Sequence, residues 1–502
     1  MRRRRRSRGA ILLTVLLALA GGCRSDFTRQ DQQKLQQLYY SGDLDRAAEL
    51  SMKMSDAENG ETGREALLWH LEAGSINLDA GRFDEALTAL ERAEKLFWLF
   101  DRQGRIRLHR PGTATYHGYR NDRLVLGMLK FFTYFSRGEL EDALVEIRRL
   151  RAGQYLYLLK ESDPNLREYD QENFGRKVAP YRLRKLEKEN QTAAGTFRAA
   201  GVQAEYGEYK DRLRPRLALL FNPLPFYLSA LGYYWDNQFD EAAVDLKYLF
   251  WLQPDNELFR RDYATVLHLL GEKIPPELAS VKPWDYPLTD NLAVVILAQG
   301  IPPGWKERST TVRLPGMVPG HWKFNLPEDS RAQALTLRAS GGGRHCVGSE
   351  LADLTSIAQD EFWQLTMPEL AGGAAAAIRS KTIEHEAAKA SLAALLASPN
   401  FDGKALAVAA ATAQVAATSS VSINDTDWRR WVTIAQRYRI LHLPIPANRE
   451  ITVEIEGADR KSLFRKSLFR KTLKFEPETT RALIYLREAG GKFYLKQWST
   501  ME

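Results

Sequence analysis

The chain has 502 residues, which is too many for one hydrophobic core, so we expect two or three domains. Its 44% hydrophobic and 27% charged residues are typical of a soluble globular protein. The formal net charge of +8 does not indicate an anionic partner, because six of the 71 Lys and Arg residues lie in the first 22 positions, which hold no acid. The remaining 65 basic and 63 acidic residues leave +2, which argues against nucleic-acid binding.

The amino terminus has the pattern of a lipoprotein export signal. Six arginines at positions 2–6 and 8 precede a mostly apolar stretch at 9–20, and Gly21-Gly22 stand just before Cys23. The apolar stretch is well short of the roughly 20 residues that span a bilayer, so a cleaved signal at 1–22 is predicted. We expect the Cys23 thiol to carry a diacylglyceryl anchor, with palmitate on the lipidated residue. The alternative is an ordinary secretory signal in which Cys23 is incidental.

Cysteine usage agrees with export. Cys346 is the other cysteine of the chain, and it has no partner if Cys23 is lipidated, so stability must come from packing rather than disulfides. Arg24, rather than Asp, follows Cys23, which favours sorting to the outer membrane by the rule for enteric bacteria. The expected location is therefore the outer membrane, with the lipid-anchored chain facing the periplasm.

Internal repetition predicts the first domain, residues 23–275. Residues 226–256 have the spacing of aromatic, small and turn positions found in the tetratricopeptide (TPR) repeat, and Phe-Asp-Glu-Ala occurs at both 83–86 and 239–242. Further copies lie at 67–99 and 134–150, with a weaker one near Gly42. The pattern predicts that each repeat forms two antiparallel helices with Gly or Asn at the turn, and that the repeats stack on one another. Generic helical hairpins are the alternative.

A groove across the stacked units is the predicted partner site. Stacked TPR units present a groove to an extended or helical peptide, and we expect the first helix of each unit to expose its side chains there. The candidate partner-binding residues are Trp69, Asn77, Lys130, Tyr134, Tyr227 and Tyr234. Each can instead pack between units, which is the more common role for the aromatic residues. Residues 100–121 are predicted to form a loop, and 156–215 an irregular charged excursion.

Residues 276–502 predict a mixed α/β module. Strand-like patterns occur at 291–299, 309–314 and 332–337, and again within the terminal strands at 436–497, which suggest a small antiparallel sheet or sandwich. Ala-rich helices are predicted at 351–418, and their scattered charges argue against a membrane span. The expected fold class is α+β: an N-terminal TPR-like helical array followed by a C-terminal module with antiparallel strands and Ala-rich helices.

The segment 461–473 contains a direct duplication, KSLFRKSLFRKTL. Its composition favours a lengthened hairpin loop. The alternative is contact with lipid headgroups through its basic and Phe side chains.

Several stretches together resemble a group of bacterial TPR-containing lipoproteins of the cell envelope. They are Asn222-Pro223 ahead of the 226–256 repeat, the strand and Gly/Pro turn at 292–313, residues 353–358, and Asp425-x-Asp427-Trp428-x-x-Trp431. The resemblance covers most of the mature chain and implies a TPR platform with a small β-containing module. It supplies no reaction.

The sequence holds no GxSxG, HExxH, Walker, Rossmann or CxxC motif. His345 and Cys346 could form a base and nucleophile, but adjacent strand residues point to opposite faces. His385 between two glutamates is most simply a solvated histidine. We therefore expect a non-enzymatic scaffold or adaptor without metal or cofactor, bound to other envelope proteins through the groove. The alternatives are an envelope enzyme with Cys346 as nucleophile and a lipid-contacting assembly factor.

Overall fold

The computed structural model describes residues 24–57, 63–102, 115–162, 198, 201, 222–302, 304–328, 334–396, 420–458 and 465–501. The predicted signal at 1–22, the predicted lipidation site Cys23, most of the predicted excursion at 156–215 and the end of the Ala-rich region lie outside these residues.

Helices dominate the chain up to residue 270. They are α1 (Arg24–Ser41), α2 (Leu44–Ala57), α3 (Ala66–Ala80), α4 (Phe83–Arg102), α5 (Arg120–Ser136), α6 (Leu140–Ser162), α7 (Pro223–Trp235), α8 (Phe239–Leu252) and α9 (Glu257–Leu270). Consecutive helices pack against one another as hairpins, so the predicted helical pairs at 67–99, 134–150 and 226–256 are confirmed as α-helical hairpins.

The hairpin turns have the backbone geometry that the sequence spacing predicts. Gly81, Gly138 and Asn237 occupy equivalent places between the two helices of a pair, with φ of 79°, 80° and 57°. This left-handed region is open to Gly and tolerated by Asn, because other side chains collide there with the backbone. The same residue types at the same place therefore terminate each first helix in the same way.

Small residues let the paired helices approach closely. A Cβ atom placed on Gly74 in α3 would lie 2.4 Å from Leu90 Cδ2 in α4. Gly127 in α5 has the same relation to Leu150 in α6, also at 2.4 Å. Both glycines therefore leave room for a leucine of the partner helix.

Three sheets follow the helices. Their strands are β1 (Leu292–Gln299), β2 (Trp305–Val312), β3 (Gly320–Pro327), β4 (Leu335–Gly341), β5 (Arg344–Val347), β6 (Ser349–Asp353), β7 (Val421–Asp425), β8 (Arg437–Pro444), β9 (Glu450–Ala458), β10 (Arg465–Lys474), β11 (Thr479–Ala489) and β12 (Lys492–Met501). The strand orders are β12-β11-β1-β8-β6, β10-β9-β4-β5 and β2-β3-β7.

The prediction of antiparallel strands holds for the four-stranded sheet but is incomplete for the other two. β1 pairs in parallel with β11 and antiparallel with β8, and β3 pairs in parallel with β7. These parallel partners are far apart in sequence, so neither local pattern nor loop length could reveal their direction. The chain is α+β with mixed and antiparallel sheets.

The five-stranded sheet is covered on both faces. Val294 and Ile296 of β1 belong to the core shared with the helices, whereas Ala293, Val295 and Leu297 face the four-stranded sheet. All eight residues of β1 are buried, which explains its nearly continuous apolar sequence. The layers are therefore helices, five-stranded sheet and four-stranded sheet, and one hydrophobic core crosses the predicted boundary at residue 275.

The Ala-rich region begins later than predicted. Residues 351–353 belong to β6, and the helices here are α10 (Leu354–Glu361) and α11 (Met367–Leu396), joined by a π-helical turn at Phe362–Thr366. Ala371, Ala374 and Ile378 of α11 pack on the three-stranded sheet. Beyond them the helix is largely exposed, including Ile383.

The duplicated segment was predicted to be a lengthened hairpin loop, and this prediction is wrong for part of it. Its second KSLFR copy, residues 466–470, lies in β10, which pairs antiparallel with β9. The basic composition suggested a loop, but hydrogen bonding to β9 and burial of Leu473 stabilise a strand there.

Candidate functional site

The predicted groove residues are not exposed, because the chain fills the groove itself. Five of the six candidates are buried, namely Trp69, Asn77, Lys130, Tyr227 and Tyr234, and Tyr134 is half-buried. The expectation of exposure is therefore wrong for those five. The physical reason is that neighbouring helices cover them. Trp69 packs with α1 and α2, and Lys130 lies between Glu94 and Glu146. Tyr227 and Tyr234 both hydrogen-bond Asp262 of α9. In addition, α3, α5, α7 and α9 turn one face toward the five-stranded sheet and the loop before β8. We call this face the inner face of the helical array.

Aromatic contacts show how tightly the inner face is covered. Phe132 of α5 packs against Tyr485 of β11, with ring centroids 4.7 Å apart. Phe135 lies 5.8 Å from Trp498 of β12 and 5.8 Å from Trp235 of α7. Helix and sheet residues thus share one apolar layer without an intervening groove at these positions.

The candidates themselves bind within the chain. Tyr227 donates a hydrogen bond to Asp262 Oδ2 at 2.7 Å. Lys130 Nζ lies 2.8 Å from both Glu94 and Glu146, which hold the cation between helices α4, α5 and α6. These polar groups connect neighbouring helices, as the packing alternative predicted for the aromatic members.

Glu72 on α3 binds the loop that precedes β8. Its Oε1 accepts from the Val432 backbone N–H at 2.8 Å, and its Oε2 accepts from Thr433 Oγ1 at 2.6 Å. Trp431 Nε1 donates to Ser75 Oγ at 3.1 Å, and Ser75 also hydrogen-bonds Thr433. We call these five residues the Glu72 cluster. Burial raises the pKa of Glu72 to about 7, although the hydrogen bonds from Thr433 and Val432 oppose the shift.

Arg487 on β11 forms a second buried connection, the Arg487 cluster. Its Nε donates to Tyr39 Oη at 3.2 Å, and Tyr39 donates to Asp79 Oδ2 at 2.5 Å. The remaining guanidinium nitrogens donate to the backbone carbonyl oxygens of Gly300, at 3.1 Å, and Ile434, at 3.2 Å. One side chain thus joins α1, α3, β11 and the two loops that flank β1 and β8.

Asp262 on α9 organises a third group, the Asp262 cluster. Besides Tyr227 it accepts from Trp284 Nε1 at 2.7 Å and lies 3.0 Å from His442 Nε2 on β8. His442 Nδ1 is 3.1 Å from Tyr286 Oη. Both ring nitrogens of His442 therefore have partners, which fixes its orientation between the helices and the sheet.

Asp122 at the start of α5 is a further buried carboxylate near the third sheet. It accepts from Tyr116 Oη at 2.9 Å and from the Tyr119 backbone N–H at 2.8 Å. Burial raises its pKa to about 7. Two buried carboxylates, Glu72 and Asp122, thus titrate near neutral pH.

The Cys346 region does not assemble the base and nucleophile pair considered from the sequence. His345 is exposed, whereas Cys346 is partly buried against the core between the five-stranded and four-stranded sheets, as alternation along β5 predicts. Burial raises the pKa of the Cys346 thiol, although Arg344 and Arg261 oppose the shift. A raised pKa reduces the thiolate fraction that nucleophilic attack requires. His385 lies on the largely exposed part of α11.

The described part of the chain contains no group of three or more His, Cys, Asp or Glu residues that could hold a metal ion. Among the same residues, no helix combines the length and apolar content that a membrane crossing requires. Known proteins add no assignment, since no protein-family model, no curated protein and no solved structure matches the chain.

Sequence reasoning missed the residues that hold the array to the sheet: Glu72, Asp79, Asp262, His442 and Arg487. One signal was available, since Glu72 and Asp79 are seven residues apart in the largely apolar sequence of α3. Charged residues at helical spacing on a helix that is buried all around require buried partners. The partners were not predictable, because Val432 is 360 residues from Glu72.

Proposed function

We propose that this chain is an outer-membrane lipoprotein, anchored through Cys23 and facing the periplasm, that acts as an interaction scaffold or adaptor for other cell-envelope proteins. The helical array is TPR-like in this proposal, and the resemblance to TPR-containing lipoproteins belongs to it. The lipoprotein signal supports the anchor, and the equivalent turns at Gly81, Gly138 and Asn237 support repeated units.

The main observation behind the proposal is that the inner face of the helical array contacts the sheet and loops of the same chain. We call residues 276–502 the β module. The Glu72, Arg487 and Asp262 clusters replace water around the polar groups of the inner face with hydrogen bonds to this module. A buried polar group left without a partner costs about 1–3 kcal/mol, so opening the interface would be expensive. The array therefore serves to hold the β module in a fixed orientation, and partners bind to outer surfaces of the assembly.

A crosslinking pull-down from intact cells tests this function. The native chain is compared with Cys23→Ser, which removes the anchor, and captured proteins are identified by mass spectrometry. We expect a defined set of envelope proteins with the anchored form and a reduced set with Cys23→Ser. An empty set for both forms would contradict the scaffold function.

An outer-surface partner is distinguished from a groove partner by a second comparison. Tyr134→Ala changes the half-buried candidate, and we expect it to leave partner capture unchanged. Loss of capture by a folded Tyr134→Ala protein would instead favour binding at the groove. Circular dichroism and thermal unfolding of the purified variant establish that it is folded.

A further inference from the structure

Strand β10 is an exposed edge of the β module. It ends the four-stranded sheet and hydrogen-bonds β9 on one side. Of its residues 466–474, seven are exposed. The other ten-residue edge strand, β12, differs because residues 493–498 are half-buried, with Trp498 against Phe135 of the helical array. Within the described chain, β10 therefore offers the longer uncovered backbone edge.

This edge is strongly basic. Five of its ten residues are Lys or Arg and none is acidic. Lys466, Arg470 and Lys471 are exposed, and Lys474 remains 81% exposed although it lies 3.0 Å from Glu450. Arg470 lies opposite Glu454 and Lys474 opposite Glu450 in β9, so cross-strand attraction accounts for these two cations. Lys466 and Lys471 lie opposite Gly457 and Val453 and have no carboxylate in that position. Lys466 and Lys471 therefore add positive charge beside the edge of β10 that pairs with no strand of the described chain.

The positive charge of β10 favours some binding partners of this edge over others. A second copy of β10 placed edge to edge would bring cations against cations, which is how natural proteins prevent self-association of edge strands. An acidic strand would turn each of these repulsions into an attraction. The outer edge of β10 has no strand partner in the described chain, although the Lys474 carbonyl oxygen accepts a hydrogen bond from Gln497 Nε2 at 3.2 Å. Such an edge favours an extended peptide over a lipid surface, because a strand satisfies its N–H and C=O groups with regular hydrogen bonds.

We propose that β10 is the docking edge for an extended acidic segment of a partner protein, which adds a fifth strand to the four-stranded sheet. The inference rests on the proposed scaffold function and names the surface and the partner class. Residues 469–474 keep a regular register with β9 after the irregularity between Ser467 and Phe469, so the added strand pairs along these residues. Arg470 and Lys471 point to opposite faces of the sheet, so they contact acidic side chains on the two faces of the added strand, and the exposed Leu468 supplies an apolar contact at one end.

A synthetic peptide tests the docking edge. The probe is a fluorescein-labelled decapeptide in which pairs of Glu alternate with pairs of Val, so that both faces of the extended peptide carry Glu. It is titrated against the mature chain carrying Cys23→Ser, with fluorescence anisotropy as readout. We expect saturable binding that weakens at higher salt. The triple variant Lys466→Glu, Arg470→Glu, Lys471→Glu should weaken binding by about tenfold or more. The matched variant Lys53→Glu, Lys95→Glu, Lys306→Glu reverses three exposed cations elsewhere and should bind normally.

Hydrogen exchange separates strand addition from general charge attraction. Bound peptide should slow hydrogen exchange of the β10 amides. A decapeptide of equal charge in which Pro replaces every Val should not, because Pro has no backbone N–H to pair with a strand. Equal binding by the two triple variants would overturn the proposal. Binding to vesicles that contain phosphatidylglycerol, without binding to the peptide, would overturn it too and assign β10 to a membrane surface.

The pull-down from cells distinguishes failure of this proposal from failure of the scaffold function. If the native chain captures partners and the β10 triple variant captures the same set, β10 is not the docking edge and the scaffold function stands. If the native chain captures none, the scaffold function itself is wrong.

Discussion

The inner face of the helical array and strand β10 are both rich in polar side chains, but only β10 is open to water. Glu72 and Arg487 are buried; Glu72 accepts hydrogen bonds from a distant part of the chain, and Arg487 donates to one. Lys466, Arg470 and Lys471 are exposed on an edge strand. The difference implies that substitutions on the inner face change folding stability, whereas substitutions on β10 change what the surface binds.

The largest expected effect is the loss of Arg487. Arg487→Met keeps much of the side-chain volume but leaves Tyr39 Oη and the backbone carbonyl oxygens of Gly300 and Ile434 without this donor, and it removes the cation 3.9 Å from Asp79. The free energy of unfolding should fall by about 3–5 kcal/mol, measured by urea denaturation. Arg46→Met, at a solvent-exposed arginine of α2, is the control and should change stability little. Equal stability of the two variants would show that the Arg487 cluster does not hold the interface.

The second effect is a pH dependence from Glu72. Its pKa is about 7 in the folded chain against an ordinary value of 4.5, so the folded state binds the proton more tightly than the unfolded state. The stabilisation is full below pH 4.5 and is lost as pH rises toward 7, with a slope on the order of 1 kcal/mol per pH unit.

Glu72→Gln tests this contribution because it keeps the shape without the titration. Urea unfolding at pH 5, 6, 7 and 8 should show a smaller loss of stability with rising pH in the variant than in the native chain. Asp122 should still contribute to the remaining slope, since burial raises its pKa to about 7 as well. Parallel pH profiles for the native chain and the variant would refute the role given to Glu72.

A smaller effect is expected at the contact between α3 and α4. Gly74→Ala places a methyl group against Leu90 and should destabilise the chain by about 1–3 kcal/mol. The double variant Gly74→Ala, Leu90→Ala should be more stable than the sum of the single changes predicts, because the small residue relieves the collision. Simple additivity would mean that the helices are not in this close contact.

The smallest effect is expected for Cys346→Ser. The residue is partly buried near an exposed edge, so the free energy of unfolding should change by about 0.5 kcal/mol or less. We also expect partner capture and growth of cells to be unaffected. Impaired growth of cells that carry a correctly folded Cys346→Ser protein would instead support the alternative that Cys346 is the nucleophile of an envelope enzyme.

Local patterns predicted the parts of the fold that depend on near neighbours. Gly81 and Asn237 could be placed at turns because their residue types and spacing report a backbone requirement. Strand β1 was predicted within one residue of its observed start, since a run of apolar β-branched residues has few other structures available.

The candidate site depended on contacts between distant residues and was largely missed. Trp69 and Tyr227 were correctly placed on first helices, but packing against α1, α2 and α9 buries them, and these contacts could not be predicted from the sequence. Strand β10 was missed for another reason. Its many Lys and Arg residues are typical of a loop, and the strand forms because it pairs with β9.

A designed disulfide tests the covered inner face most directly. Ser75→Cys and Thr433→Cys place two thiols at hydrogen-bonded positions on α3 and in the loop before β8, in a chain that also carries Cys23→Ser and Cys346→Ser. We predict rapid formation of the intrachain disulfide, increased resistance to urea, and peptide binding at β10 equal to that of the reduced form. Two freely reactive thiols in the folded protein, with no disulfide under oxidising conditions, would show that α3 does not contact the loop before β8.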